Sequence, residues 1–311
     1  MRKISTLLLV PVFALAARAA DLPAINDPAT TDSYPGKFVW ADLFTSDQAA
    51  AATFYTGLFG WTAATIDRTT PEHGPLSYIV LSNGGRPVAG IALGPPKLRN
   101  DVRGHWLGFV SVTDVTKTLA AAVTNGGHVL SPTKDIPQRG VQAMITSNEG
   151  AMLGILHSSS GDPGEYRPDP GDFTWAEVFA RDPTSATQYY HEVLGYDVTP
   201  DSRSDHPDAY LFASGGYARA GLAPLPDRPG AHPAWLLYVR VNSVKDSVAK
   251  TVELGGRVLV EPEEVHGNSW IAIIADPVGA AIGIVEKEEA APATPEASST
   301  PSVPSAPNPQ P

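Results

Sequence analysis

This chain repeats itself. Residues 38–61 read FVWADLFTSDQAAAATFYTGLFGW and residues 173–196 read FTWAEVFARDPTSATQYYHEVLGY. They align without a gap, so that Trp40 meets Trp175, Asp42 meets Glu177, Asp47 meets Asp182 and Gly60 meets Gly195. A second pair of blocks follows, HWLGFVSVTDVTKTLAAAVTNGGHVL from His105 and AWLLYVRVNSVKDSVAKTVELGGRVL from Ala234, with Trp106 against Trp235. Self-similarity over most of a 311-residue chain calls for a duplicated unit rather than one irregular domain.

Each block has the same local grammar. An alternating apolar run over residues 38–45 predicts a strand, and Asp47 then caps a helix whose Ala51, Phe54, Tyr55 and Leu58 share one face. Gly60 ends that helix. In the second copy Asp182 is the cap, Pro183 takes the first helical position and Gly195 is the stop. Asp114 and Ser243 cap two further helices that end near Gly126 and Gly255. Short β-rich runs follow every helix, at residues 76–82, 142–146, 210–213 and 270–274, separated by Gly, Pro, Asn and Asp turns. The unit is βαβββ, present four times, which makes the fold class α+β.

The helix endings FYTGLFGW and YYHEVLGY, with the closing DPVGAAIGI at residues 276–284 and the weaker SNEGAMLGI at 147–155, resemble the glyoxalase, bleomycin-resistance and extradiol-dioxygenase (vicinal oxygen chelate) superfamily. The resemblance implies two domains in tandem, each built from two βαβββ units whose mixed sheet curls into a half-barrel. The expected boundaries are 32–158 for the first domain, 159–171 for a linker and 172–286 for the second. Members that do metal chemistry carry ligands at places that here hold Trp40, Leu107 and Gly154 in the first copy and Trp175, Leu236 and Gly283 in the second. None of these ligates, and a divalent ion needs several N, O or S donors. The expectation is therefore no metal cofactor, with an unusual site from Asp42, Glu177, His105, His157 and His232 as the alternative.

Strand side chains alternate, so Phe38, Trp40, Asp42 and Phe44 are expected on one face, which the resemblance makes the concave one. Phe173, Trp175, Glu177 and Phe179 repeat that set. A carboxylate among aromatics is costly to bury unless paired, hydrogen-bonded or protonated. Asp42 and Glu177 are thus candidates for a ligand anchor or catalytic base, against the plainer reading of structural hydrogen bonding. By the same alternation Leu236, Tyr238 and Arg240 look into the second cavity, whereas Leu107, Phe109 and Ser111 look into the first. This predicts a Glu177–Arg240 pair, either structural or able to bind an acidic substrate, and makes the second cavity the better binder of anions. His73, His128, His206 and His266 fall in turn-rich or glycine-flanked stretches that predict exposure, and His157 ends a strand.

Composition narrows the partners. The formal net charge of -11 argues against nucleic acid and anionic lipid, which reward clustered Lys and Arg. The start, MRKISTLLLVPVFALAARAADLP, puts Arg2 and Lys3 before an apolar stretch of about 14 residues, shorter than the roughly 20 a membrane helix needs. It predicts a signal peptide over residues 1–19, cleaved after Ala19, and an exported, periplasmic or secreted protein. Cysteine is absent, so neither disulfides nor thiolate ligands are available. Residues 287–311, rich in Pro, Ala and Ser, predict a disordered tail. Three functions stay open: a metal-independent protein binding a small, partly hydrophobic molecule in its clefts; a lyase, isomerase or dioxygenase with an atypical site; and an envelope assembly protein.

Overall fold

The structure, a computed structural model, describes residues 22–70, 74–94, 104–227, 230–265 and 269–286. The expected leader and tail, His73 and His266 lie outside them. The first unit runs β1 (Phe38–Thr45), α1 (Gln48–Phe59), β2 (Thr62–Thr70), β3 (Gly74–Asn83) and β4 (Arg86–Leu93). The second runs β5 (His105–Ser111), α2 (Val115–Thr124), β6 (His128–Ile136), β7 (Gly140–Thr146) and β8 (Met152–Ser158). The third runs β9 (Phe173–Ala180), α3 (Pro183–Leu194), β10 (Asp197–Pro200), β11 (Tyr210–Ser214) and β12 (Tyr217–Pro224). The fourth runs β13 (Ala234–Arg240), α4 (Val244–Glu253), β14 (Arg257–Val265), β15 (Ser269–Ala275) and β16 (Ala281–Glu286).

The caps explain where the helices begin and end. Asp47, Asp114, Asp182 and Ser243 each accept a hydrogen bond from a backbone N–H in the first turn, satisfying a donor that the helix leaves unpaired. Gly60 and Gly195 end α1 and α3 in the left-handed conformation, at φ 72 and 70, which a residue without Cβ adopts freely.

The strands form two eight-stranded mixed sheets, ordered β2-β3-β4-β1-β5-β8-β7-β6 and β10-β11-β12-β9-β13-β16-β15-β14. Within each unit the first strand lies parallel to the last, as β1 does to β4 and β5 to β8. The two units of a sheet join through an antiparallel central pair, β1 with β5 and β9 with β13. One face of each sheet carries the helices, and one continuous apolar core gathers side chains from those faces of both sheets. Helix α1 meets α4, and α2 meets α3. The opposite faces form two separate cups, each with its own small apolar cluster.

Candidate functional site

The two cups start from matching backbones. Asp42 lies between Gly90 and Leu107, and Glu177 lies between Gly221 and Leu236. What surrounds the two carboxylates is different.

In the first cup Asp42 is buried and its Oδ1 accepts from Trp40 Nε1 at 2.8 Å and from Tyr78 OH at 2.6 Å. Arg139 is fully buried, with Nη1 4.0 Å from Asp42 Oδ1, and its guanidinium stacks 4.2 Å from the centroid of the Trp40 ring. A charge buried in this way is tolerated because an opposite charge and a ring quadrupole replace its water. Gln138, at φ 66, forms part of the turn that carries Arg139 into the cup from between β6 and β7. Burial and the Asp42 carboxylate push the Tyr78 hydroxyl well above the usual tyrosine range. Trp40, Phe44, Leu107, Phe109 and Leu156 pack beneath, and the chain's own Ile25 packs on them. Leu22 packs with Tyr78 and Val80. The first cup is therefore filled by protein.

The second cup is open, with a cavity of about 950 Å³ lined by Trp175, Glu177 and Tyr238 at its floor and by Asp201, Arg203, Asp205, His206, Glu263 and Glu264 toward its mouth. Phe179 belongs to the same apolar cluster as Trp175 and Tyr238. Glu177 keeps some solvent exposure but sits deep among protein atoms, and its Oε2 accepts from Tyr238 OH at 3.1 Å. Burial raises its carboxyl above the ordinary glutamate range; the Tyr238 hydrogen bond works against that rise, and Asp201 adds to it. The register explains why this cup stays open. Val80 pairs with Gly90 and Leu211 with Gly221, so Ala209 stands where the first cup has Tyr78.

The expected Glu177–Arg240 pair is not formed. Arg240 lies at the end of β13, past a register shift against β9, and its Nη1 donates to Pro168 O at 2.6 Å. Its backbone N–H donates to Asp172 O and its carbonyl accepts from Gly171 N–H. Ser111 does the equivalent work in the first copy, donating from Oγ to Asp162 and exchanging backbone hydrogen bonds with Gly36 and Lys37. This position holds the segment leading into each first strand, so Arg240 does not line the second cup. The residue that faces a cup carboxylate is Arg139, in the other copy.

Alternation also fails at one point in each first strand. A register shift between Phe38 and Trp40 turns Phe38 to the helix face, where its ring packs 5.1 Å from Trp235. Phe173 is displaced in the same way and joins the shared core. Trp40, Asp42, Phe44, Trp175, Glu177, Phe179 and Tyr238 face the cups as alternation predicts. His128 and His206 are exposed, and His206 stands at the mouth of the second cup. His157 is exposed at its strand end, with Nδ1 3.1 Å from Val112 O. Burial lowers the His105 imidazole to about 4, with His232 adding to the shift, and its Nε2 has no hydrogen-bond partner.

Among the described residues no group of three or more His, Asp or Glu is arranged to hold a metal ion. Gly154 lies opposite Phe109 and Gly283 opposite Tyr238 in the parallel pairs, and a Cβ on either glycine would run into the facing ring. Aromatic rings occupy the space into which a longer side chain would project. No helix among the described residues is long and apolar enough to cross a membrane.

The family model described as the Glyoxalase/Bleomycin resistance protein/Dioxygenase superfamily matches residues 37–155, and a Glyoxalase-like domain matches 175–285. The chain is 29% identical over 259 residues to the Mycobacterium tuberculosis (strain CDC 1551 / Oshkosh) protein named "Putative glyoxylase CFP32", across 83% of this chain and 98% of that one. It is 28% identical over 270 residues to the "Anthracycline biosynthesis protein DnrV" of Streptomyces peucetius, across 83% and 96%. Among solved structures, the Mn(II)-bound glyoxalase from Novosphingobium aromaticivorans aligns with a TM-score of 0.57 at 14% identity, covering 83% of this chain and 84% of that chain. An extradiol ring-cleaving dioxygenase from B.fuscum aligns at 0.54 and 17%, covering 83% and 72%. At these identities the structural likeness is one of fold.

Proposed function

The chain belongs to the glyoxalase, bleomycin-resistance and dioxygenase superfamily as a two-domain member, and on that premise we propose that it is an exported protein whose second cup binds a small organic molecule, with an apolar or aromatic body and a cationic group, without the family's usual metal. The observation that carries this reading is the combination, in one open cavity, of the Glu177 carboxylate with the rings of Trp175 and Tyr238. An ammonium group entering there gains a desolvated counter-charge and the attraction of the ring faces, worth roughly 0.5–2 kcal/mol per favourable ring. Acidic side chains at the mouth, Asp205, Glu263 and Glu264, favour the approach of a cation over an anion. Arg203 also lines the mouth, but its guanidinium is held by Asp201 through contacts of 2.9 and 3.1 Å.

Support for a metal-free site comes from the donor set. The family's ligand places in this cup hold Trp175, Leu236 and Gly283, and the Tyr238 ring covers Gly283. These residues do not fit a divalent ion of the family's kind. Support for export comes from the leader-like first residues, and amino-terminal sequencing of the exported protein tests it, with a start near Ala20 expected. A second reading, in which Glu177 abstracts a proton from the bound molecule, draws on the raised carboxyl, since a base with an elevated pKa is the kind that enzymes use near neutral pH.

The test is a thermal-shift comparison in chelator between benzyltrimethylammonium and phenylacetate, for the protein and for Glu177→Gln. A ligand that binds only the folded state raises its stability. The cation is expected to raise the melting temperature of the unaltered protein and not that of the variant. A shift produced by the anion alone, or a cation shift that survives Glu177→Gln, contradicts the reading.

A further inference from the structure

We propose that the first cup is a peptide-binding site occupied in cis by the segment Leu22 to Ile25. This segment lies outside both sheets' strand order and pairs with no strand among the described residues. It is held as a bound peptide is held. Two apolar side chains insert, Ile25 onto Trp40, Leu107 and Phe109, and Leu22 against Tyr78 and Val80. Polar contacts then fix the backbone: Ser160 Oγ accepts from Ile25 N–H at 3.0 Å and from Asn26 N–H at 3.1 Å, and Arg139 Nε donates to Pro23 O at 3.5 Å. A further backbone bond from Thr30 N–H to Ser160 O anchors the end of the strap beyond the cup.

The duplicated second half serves as the internal control. It has the same strand order and the same central pairing, yet its cup is open, so the fold does not need a plug to stand. The first cup also offers more than the strap uses. Arg139 Nη2 and Gln142 Oε1 are buried without a hydrogen-bond partner, a donor and an acceptor of the kind that a peptide group satisfies. The site's ligand class is a short apolar peptide with anchoring side chains three residues apart. Because the strap fills it, the described residues present one open cup and not two.

The test uses the full chain carrying Leu22→Asp and Ile25→Asp, which puts two charges where apolar side chains insert and so expels the strap. The variant is expected to unfold cooperatively and to bind a synthetic peptide of residues 22–26 saturably, one per chain, with a rise in melting temperature toward that of the unaltered protein. A peptide carrying the same two aspartates is expected to bind at least about tenfold more weakly, since it has neither apolar anchor to bury. A variant that fails to fold, or one that folds and ignores the peptide, overturns the proposal by making the strap ordinary core. Hydrogen exchange on the unaltered protein gives an independent answer. The Ile25 and Asn26 amides are expected to exchange well ahead of the Val110 amide on the central strand, and equal protection overturns the proposal.

Discussion

Asp42 and Glu177 occupy equivalent places on duplicated strands, and their neighbours decide what each can do. Asp42 has Trp40, Tyr78 and Arg139 around it, so it is the counter-charge of a buried guanidinium. Replacing Arg139 with Ala is expected to cost roughly 3–5 kcal/mol, because a buried carboxylate loses its partner. The Asp42→Asn, Arg139→Ala double variant should recover part of that loss in a denaturation cycle. Arg240→Ala removes one hydrogen bond to Pro168 and is expected to cost about 1 kcal/mol, additively with Glu177→Gln. Glu177 has a different signature, in pH. Its carboxyl is raised in the folded protein, so its proton is bound more tightly there than in the unfolded chain. Its contribution to stability is fully present below the ordinary glutamate range and is lost as pH rises through the folded value. Glu177→Gln should therefore stabilise the protein at neutral pH and have no stabilising effect below the ordinary range, as read from melting temperatures across pH. Alternation in the sequence brought out Trp175, Glu177 and Tyr238, because strand geometry fixes which side chains share a face. Arg139 and Tyr78 were not legible. One enters from a turn and the other from the far side of β4, and neither route follows from spacing along β1.

At the scale of elements, caps and stops were the most legible features because they are local: an Asp or Ser accepting from the first turn, a glycine in the left-handed region. The register shifts in β1 and β9 were not, since a bulge depends on the partner strand, and they turned Phe38 and Phe173 from the cups into the core. Alternation misassigned Arg240 for another reason: it ends β13, where the segment leading into β9 takes its guanidinium through Pro168 O. Pairing between parallel strands has its own consequence at Gly283, which faces the Tyr238 ring. Gly283→Ala is expected to destabilise by about 1–3 kcal/mol through overpacking. Adding Tyr238→Ala should relieve that overpacking, so the cost of the Gly283 substitution should be smaller in that background. Denaturant midpoints for the single and double variants check this.

At the scale of the molecule, the two sheets share one core. Tyr55 of α1 accepts from Trp106 Nε1 at 2.8 Å and donates to Asp276 Oδ2 at 3.3 Å, tying the first half to the second. Glu149 accepts from the backbone N–H groups of Arg181 and Asp182 at 2.8 and 2.7 Å, ahead of α3. The repeat announced two copies, but an amphipathic helix says only that one face is buried and not against what, so this mutual burial was invisible in the sequence. It predicts a single unfolding transition, with calorimetric and van't Hoff enthalpies equal; two separated transitions would show the halves melting independently. Duplication with divergence has left one cup closed over its own amino-terminal segment and one cup open around Glu177, Trp175 and Tyr238. The measurement that tests this most directly is calorimetric titration of the full chain with benzyltrimethylammonium, in chelator and again with added Mn²⁺. One site per chain is expected, unchanged by the metal and strengthening as pH rises through the Glu177 titration; two equivalent sites, or binding that appears only with the metal, would overturn the assignment of the second cup.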